Sequence, residues 1–237
     1  MKSLQLKNDL DFQSLLKSLF DELWDAKGHF TILVGLQEQA ASTAKLMNYS
    51  KVFWHFSFEA HFDSTLIHLS KIYDQNPKGF HLKKFLEEGV NKNRWIFKPE
   101  LFLKRLQANP HAEELLKAIG PIDEDRFTAD LVFVSEKTNE LVKKLVIWRS
   151  NFLAHRSLNF VLPSSPASPD QPSLTDMQTL ISRGFDILNR YAGYFEATSY
   201  SQNIFDSGDF KFVLEALEHH PRHKEFQRWD EFYKKKS

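Results

Sequence analysis

One stretch of this chain gathers the residue types that move protons and bind phosphate: Trp148-Arg149-Ser150-Asn151-Phe152-Leu153-Ala154-His155-Arg156. It sets two arginines, a hydroxyl, an amide and an imidazole at the end of an otherwise apolar helical pattern. Polar groups in such a place must be hydrogen bonded, ion-paired or in water. At about 100° per residue, Trp148, Asn151, Phe152 and His155 share one helix face, and Arg149 and Arg156 share the next. Arg149 and His155 lie roughly 120° apart on that helix, a gap that a long arginine side chain can close. An imidazole exchanges a proton near neutral pH, and a guanidinium stabilises charge on a phosphoryl group. Metal-free RNA cleavage needs these groups. The same residues also admit a purely structural reading. In it, His155 caps a helix C-terminus, where the dipole favours an imidazolium, and Arg149 pairs with an acid elsewhere.

Two other polar clusters weigh less. His55, Glu59, His61, Asp63 and His68 crowd one helical segment, and His55 and Glu59, one turn apart, could share a metal. No Glu-x-x-His pattern supplies ligands from a second helix, so packing or solvent contact is the preferred reading. Glu218, His219, His220 and His223 form a His-rich patch beside Pro221, read as a solvated tail. No glycine-rich phosphate loop and no Gly-x-Ser-x-Gly elbow occurs. The expectation is therefore no metal and no cofactor.

The elements that position these residues read as helices. Phe12, Leu15, Leu16, Leu19, Phe20, Leu23 and Trp24 recur at three- and four-residue steps, which makes one helical face. The pattern continues to about Asn48, loosened at Gly28. Ser50 is placed to cap a second helix running to Tyr73. Asp74 to Gly79, with its Asn, Pro and Gly, reads as a loop. Shorter helices follow: one ending at Gly89, one opened by Pro99, one from Pro110 to Ile119. A long helix is expected from Asp123, Glu124 and Asp125, acids in its first turn. Leu131, Val134, Thr138, Leu141, Val142, Leu145 and Trp148 carry it to at least His155. Pro163, Pro166, Pro169 and Pro172 then recur every three residues in an exposed, polyproline-like loop. A helix from Ser173 or Thr175 to about Ser199 buries Met177, Leu180, Ile181, Phe185, Leu188 and Tyr191. A short helix over 209–218 and a basic end, Lys234-Lys235-Lys236, complete the chain.

Composition agrees with an all-α fold: 22 phenylalanines against 8 glycines, with long apolar periodicities, argue against a sheet protein. The expected organisation is a helical bundle over residues 1–200, with long antiparallel helices, and a short helical extension over 201–237. The absence of cysteine removes disulfides and thiolate chemistry and fits a reducing compartment. No secretory leader or membrane span is read, so a cytoplasmic location is expected. With 31 basic and 31 acidic residues, whole-molecule charge does not point to nucleic acid. Local charge is less even. Residues 78–105 carry eight Lys or Arg against three acids, and Lys143, Lys144, Arg149 and Arg156 make a second basic stretch, each readable as a solvated face.

Arg149 to His155 fits the R-x(4–6)-H motif of the HEPN superfamily of helical RNases and nucleotide-binding proteins. The stretch Phe53-Trp54-His55-Phe56 through Leu66-Ile67-His68-Leu69-Ser70-Lys71-Ile72-Tyr73-Asp74, with the later Ala154-His155-Arg156, resembles the phage abortive-infection branch, over roughly residues 10 to 200. Where that superfamily often has Asn, Asp or His after the motif arginine, this chain has Ser150, and the amide follows at Asn151. The resemblance implies a HEPN-like bundle that dimerises through its motif helix and cleaves RNA without a metal. It implies His155 as general acid or base and Arg149 as the stabiliser of phosphate charge. Ser150 and Asn151 would position the phosphate or the imidazole. Arg156, with Lys144 of the basic stretch, would contact the RNA backbone. A toxin-like effector would also have a neutralising or regulatory protein partner. The alternative is a HEPN-like module that binds a nucleotide, RNA or protein without cutting.

Overall fold

The computed structural model describes residues 4, 6–153, 171–204 and 208–220, with side chains at 152 and 153 left aside. Regular structure among them is entirely helical. The helices are α1 (Asp9–Ala40), α2 (Ala44–Asn48), α3 (Lys51–Ile72), α4 (Leu82–Lys84), α5 (Pro99–Arg105), α6 (Ala112–Ile119), α7 (Glu124–Phe133), α8 (Glu140–Trp148), α9 (Leu174–Glu196) and α10 (Phe210–His219). α4 runs on through a π turn over Phe85–Val90 and a 3-10 stretch over Asn91–Phe97, and α8 through a π turn over Arg149–Leu153. Contacts group the chain into two compact units, Met1–Lys27 with Thr65–Gln202, and Gly28–Ser64 with Asn203–Ser237.

The first unit is built around α9. Nine of its side chains are buried together with Gly184, from Met177 to Phe195, on the face expected from their spacing. Burying each large apolar side chain contributes about 1.5–3 kcal/mol, so this face dominates the stability of the helix. Phe12 of α1 meets Phe85, Phe97 and Phe195 with ring centroids 5.6, 5.2 and 4.8 Å away. Gly184 lets α9 approach closely: a Cβ there would stand 3.1 Å from the Leu23 methyls and 3.4 Å from the Tyr73 hydroxyl. That hydroxyl donates to the Leu180 carbonyl at 2.7 Å, and burial pushes its ionisation far above the usual phenol range. At the other end of α9, Arg190 pairs with the buried Asp130 of α7, which also accepts from the Tyr191 hydroxyl at 3.0 Å.

The second unit has its own core of Leu36, Met47, Trp54 and Leu214, with Ile32, Phe58 and Phe210 packed on it. Gly35 meets the tip of the Phe210 ring: a Cβ there would sit 2.5 Å from it, so any larger residue must push the ring aside.

Two expected continuities fail. α1 passes through Gly28 unbroken and stops at Ala40 instead of reaching Asn48. There the Ser42 and Thr43 hydroxyls both donate to the Gln39 carbonyl, at 2.9 and 2.8 Å, the side-chain competition that ends helices. The long helix expected from Asp123 to at least His155 is two helices. Asn139 separates them: its amide donates to the Phe133 carbonyl at 2.8 Å, and its oxygen caps α8 through the Leu141 and Val142 N–H groups. The Pro-rich stretch up to residue 170, and the basic end, lie outside the described residues.

Candidate functional site

α8 delivers the motif. Val142 and Leu145 anchor it in the core, and its last turn opens into the π turn at Arg149. π turns leave carbonyls out of register with the i+4 ladder and recur at functional sites. Here two side chains take up the slack. Ser150 Oγ donates to the Val146 carbonyl at 2.9 Å, and Asn151 Nδ2 donates to the Ile147 carbonyl at 2.7 Å. Both lone-pair-bearing oxygens, Ser150 Oγ and Asn151 Oδ1, keep acceptor capacity.

Arg149 reaches out of this turn to Asp74. Its Nη1 donates to Asp74 Oδ1 at 2.6 Å, with side chains 35% and 15% exposed. The same oxygen accepts from the Gln75 and Asn76 N–H groups at 2.8 and 3.1 Å. The loop after α3 is thus wound around one carboxylate oxygen. Gln75 ties that loop down further, its amide donating to the Tyr73 and Val134 carbonyls at 2.9 and 3.0 Å. Beyond it, His81 starts α4. Its Nδ1 accepts the Lys84 N–H at 3.2 Å, and its Nε2 lies 3.2 Å from the Asn76 carbonyl, which fixes the proton on Nε2. Burial lowers the pKa of this ring, outweighing the opposite pull of Asp74.

The other expected site residues lie as follows. Lys144 is half-buried and donates to Asp176 Oδ2 at 2.9 Å. Asp176 closes a capping box with Ser173 at the start of α9. Burial works to raise its carboxyl, but the Ser173 N–H, Lys144 and the Ser173 hydroxyl together hold it below the usual range. His155 and Arg156 lie outside the described residues. The histidines grouped by sequence separate. His55 stands 3.4 Å from Glu59 on an exposed face. His61 Nδ1 meets His29 Nδ1 at 3.0 Å. His68 Nδ1 lies 2.6 Å from Glu22, which also takes Lys71 at 2.7 Å. Among the described residues no group of three or more His, Asp or Glu could hold a metal ion.

Asp74 and His81 were not legible as site residues. An Asp beside Gln, Asn and Pro reads as a turn former, and nothing in its spacing links it to an arginine 75 positions away.

The family model AbiU2, of HEPN type, matches residues 9–220. The chain belongs to this HEPN-type abortive-infection family. No curated protein and no solved structure matches it. The match takes in α1 to α10, including the turn that carries Arg149 and the loop that carries Asp74. Among the described residues of this HEPN chain, no helix is long and apolar enough to cross a membrane.

Proposed function

We propose that this HEPN protein is a metal-independent endoribonuclease that acts in the cytoplasm in phage defence or a toxin-like system. The observation that carries the reading is Arg149. It sits in a π turn at the end of α8, its guanidinium held by Asp74 and partly open to solvent. In the proposed reaction the ribose 2′-OH attacks the adjacent phosphate. A proton leaves the 2′ oxygen, the new O2′–P bond forms, and the P–O5′ bond breaks with a proton delivered to O5′. The products carry a 2′,3′-cyclic phosphate and a 5′-OH. His155 is the acid–base group, and Arg149 stabilises charge on the phosphoryl oxygens. Ser150 and Asn151 would position the phosphate or fix the imidazole. Arg156 contacts the RNA backbone, and Lys144 does so by exchanging Asp176 for a phosphate. A homodimer through the motif helix would set two such sites face to face, and a protein partner would hold the activity in check.

A second reading is a HEPN module that binds RNA, a nucleotide or a protein without cutting. The inward hydrogen bonds of Ser150 and Asn151 favour it, because they commit donors that a catalytic site would aim at substrate. RNA digestion in EDTA separates the two. The RNase reading expects cleavage of cellular RNA or tRNA with cyclic phosphate ends, lost in His155→Ala and in Arg149→Ala while both variants stay folded. Unchanged cleavage in either variant removes these assignments. RNA binding without cleavage by the wild type supports the second reading.

A further inference from the structure

Two arginines of the first unit pair with aspartates in different ways. Arg105 has all three of its guanidinium nitrogens engaged. Its Nε and Nη2 donate to the two carboxylate oxygens of Asp9, its Nη1 to the Phe195 carbonyl at 2.8 Å, and its Nη2 also to the Ile96 carbonyl. Its side chain is only 8% exposed. No donor edge is left for a ligand. Arg149 is held by one nitrogen, Nη1, among the described residues, and its side chain is far more open.

We propose that Asp74 is the positioning residue of Arg149 for phosphate, fixing Nη1 so that the Nε–Nη2 edge takes two phosphate oxygens. The inference rests on reading the site as one that binds an RNA phosphate. A guanidinium is a rigid planar fork, and bidentate pairing with phosphate uses two parallel N–H donors. A carboxylate that occupied that edge would compete with phosphate, as Asp9 does on Arg105. A carboxylate on Nη1 alone orients the plane and leaves the edge open. Asp74 can do this because it is itself fixed. Three donors converge on Oδ1, two of them backbone N–H groups of its own loop, and Gln75 fastens that loop to the end of α7. The guanidinium is thereby preorganised before substrate arrives, the condition under which a positioned charge stabilises a transition state.

The test uses the full chain with Asp74→Asn, Arg149→Ala and the double variant. Asparagine keeps an oxygen for the Gln75 and Asn76 N–H groups, so the loop and the melting temperature should be retained. The Arg149 Nε–H resonance, assigned through Arg149→Lys, should be rigid in wild type and mobile in Asp74→Asn. It should also shift on titration with inorganic phosphate in wild type and much less in Asp74→Asn. Cleavage in EDTA should lose about 10- to 100-fold in kcat with KM little changed, and any residual cleavage by Arg149→Ala should be no slower once Asp74→Asn is added. An Arg149 resonance indifferent to Asp74→Asn, or to phosphate in the wild type, overturns the inference. So do additive losses in the double variant. A wild type that never cleaves, yet shows the rigid, phosphate-sensitive arginine, overturns the RNase reading and supports the positioning role.

Discussion

His81 shows how much a single ring can hold. With Nδ1 accepting the Lys84 N–H and Nε2 facing the Asn76 carbonyl, it caps α4 and braces the loop of Asp74. Protonating Nδ1 removes the cap's acceptor. Burial lowers the pKa of this ring in the folded chain below its ordinary value. The unfolded chain therefore binds the proton more readily, and stability rises with pH. The contribution is complete above the unfolded histidine value, about 6.5, and is lost as pH falls below it toward the folded value. The half-buried His61, lowered by burial and by His29, acts in the same direction. Denaturant midpoints measured between about pH 7.5 and 5.5 should fall in wild type. They should fall less in His81→Asn, which keeps an N-cap acceptor without a titration. Equal slopes would remove His81 from this role. Residues of this kind were hidden in the sequence because their partners lie in loops, where no period connects one side chain to another. Arg149 was legible because its neighbours on α8 were apolar and it was not.

At the level of helices, periodicity located most segments and misjudged two joins, one after Ala40 and one across residues 134–139. The buried face of α9 follows from its spacing alone, with Met177, Leu180, Ile181, Phe185, Leu188 and Tyr191 all in the core. Across residues 134–139 the apolar spacing happens to stay in step, so the pattern reads as one helix. The backbone instead obeys Ser135, Thr138 and Asn139, whose side chains satisfy backbone groups locally. A polar cluster that satisfies backbone groups locally ends a helix even where the apolar period continues. The start of α9 provides a measurable case. Ser173 and Asp176 satisfy each other's N–H groups, and Asp176 also receives Lys144. Ser173→Ala should cost about 1 kcal/mol in urea unfolding at unchanged m-value. Asp176→Ala should cost more, because it breaks the cap and leaves a half-buried Lys144 without its carboxylate. Equal losses would mean that the ion pair contributes nothing.

For the molecule as a whole, charge is balanced at 31 against 31, and much of the basic stretch near residues 78–105 is committed internally. Arg94 pairs with Glu124 and lies over Phe127, Arg105 with Asp9, and Lys92 with Glu88. Lys84 donates to the Pro77 carbonyl. The cations proposed to contact RNA are Arg149, Arg156 and Lys144. RNA affinity should therefore fall only about 10-fold between ~50 and ~200 mM salt, the loss expected for two or three contacts to a single strand. Filter binding with a non-cleavable oligonucleotide at several salt concentrations reads the slope. A loss of a thousandfold would mean many more phosphate contacts than these three. The all-α class was readable because long three- and four-residue apolar periods with few glycines argue against a sheet. The family was readable because the stretch from Phe53 to Asp74, together with the arginine-to-histidine spacing, resembles it.

The π turn at Arg149–Leu153 has a bearing on how such a motif can vary in length. Within a regular α-helix one additional residue rotates everything downstream by about 100°, which turns a buried face outward. A π turn absorbs the additional residue in one widened loop of backbone and restores the phase after it. In this chain the widening is paid in advance by Ser150 and Asn151, whose side chains occupy the loosened carbonyls. The turn is in effect an expansion joint. Such a joint would let the spacing downstream of it change while Val142 and Leu145 stay in the core.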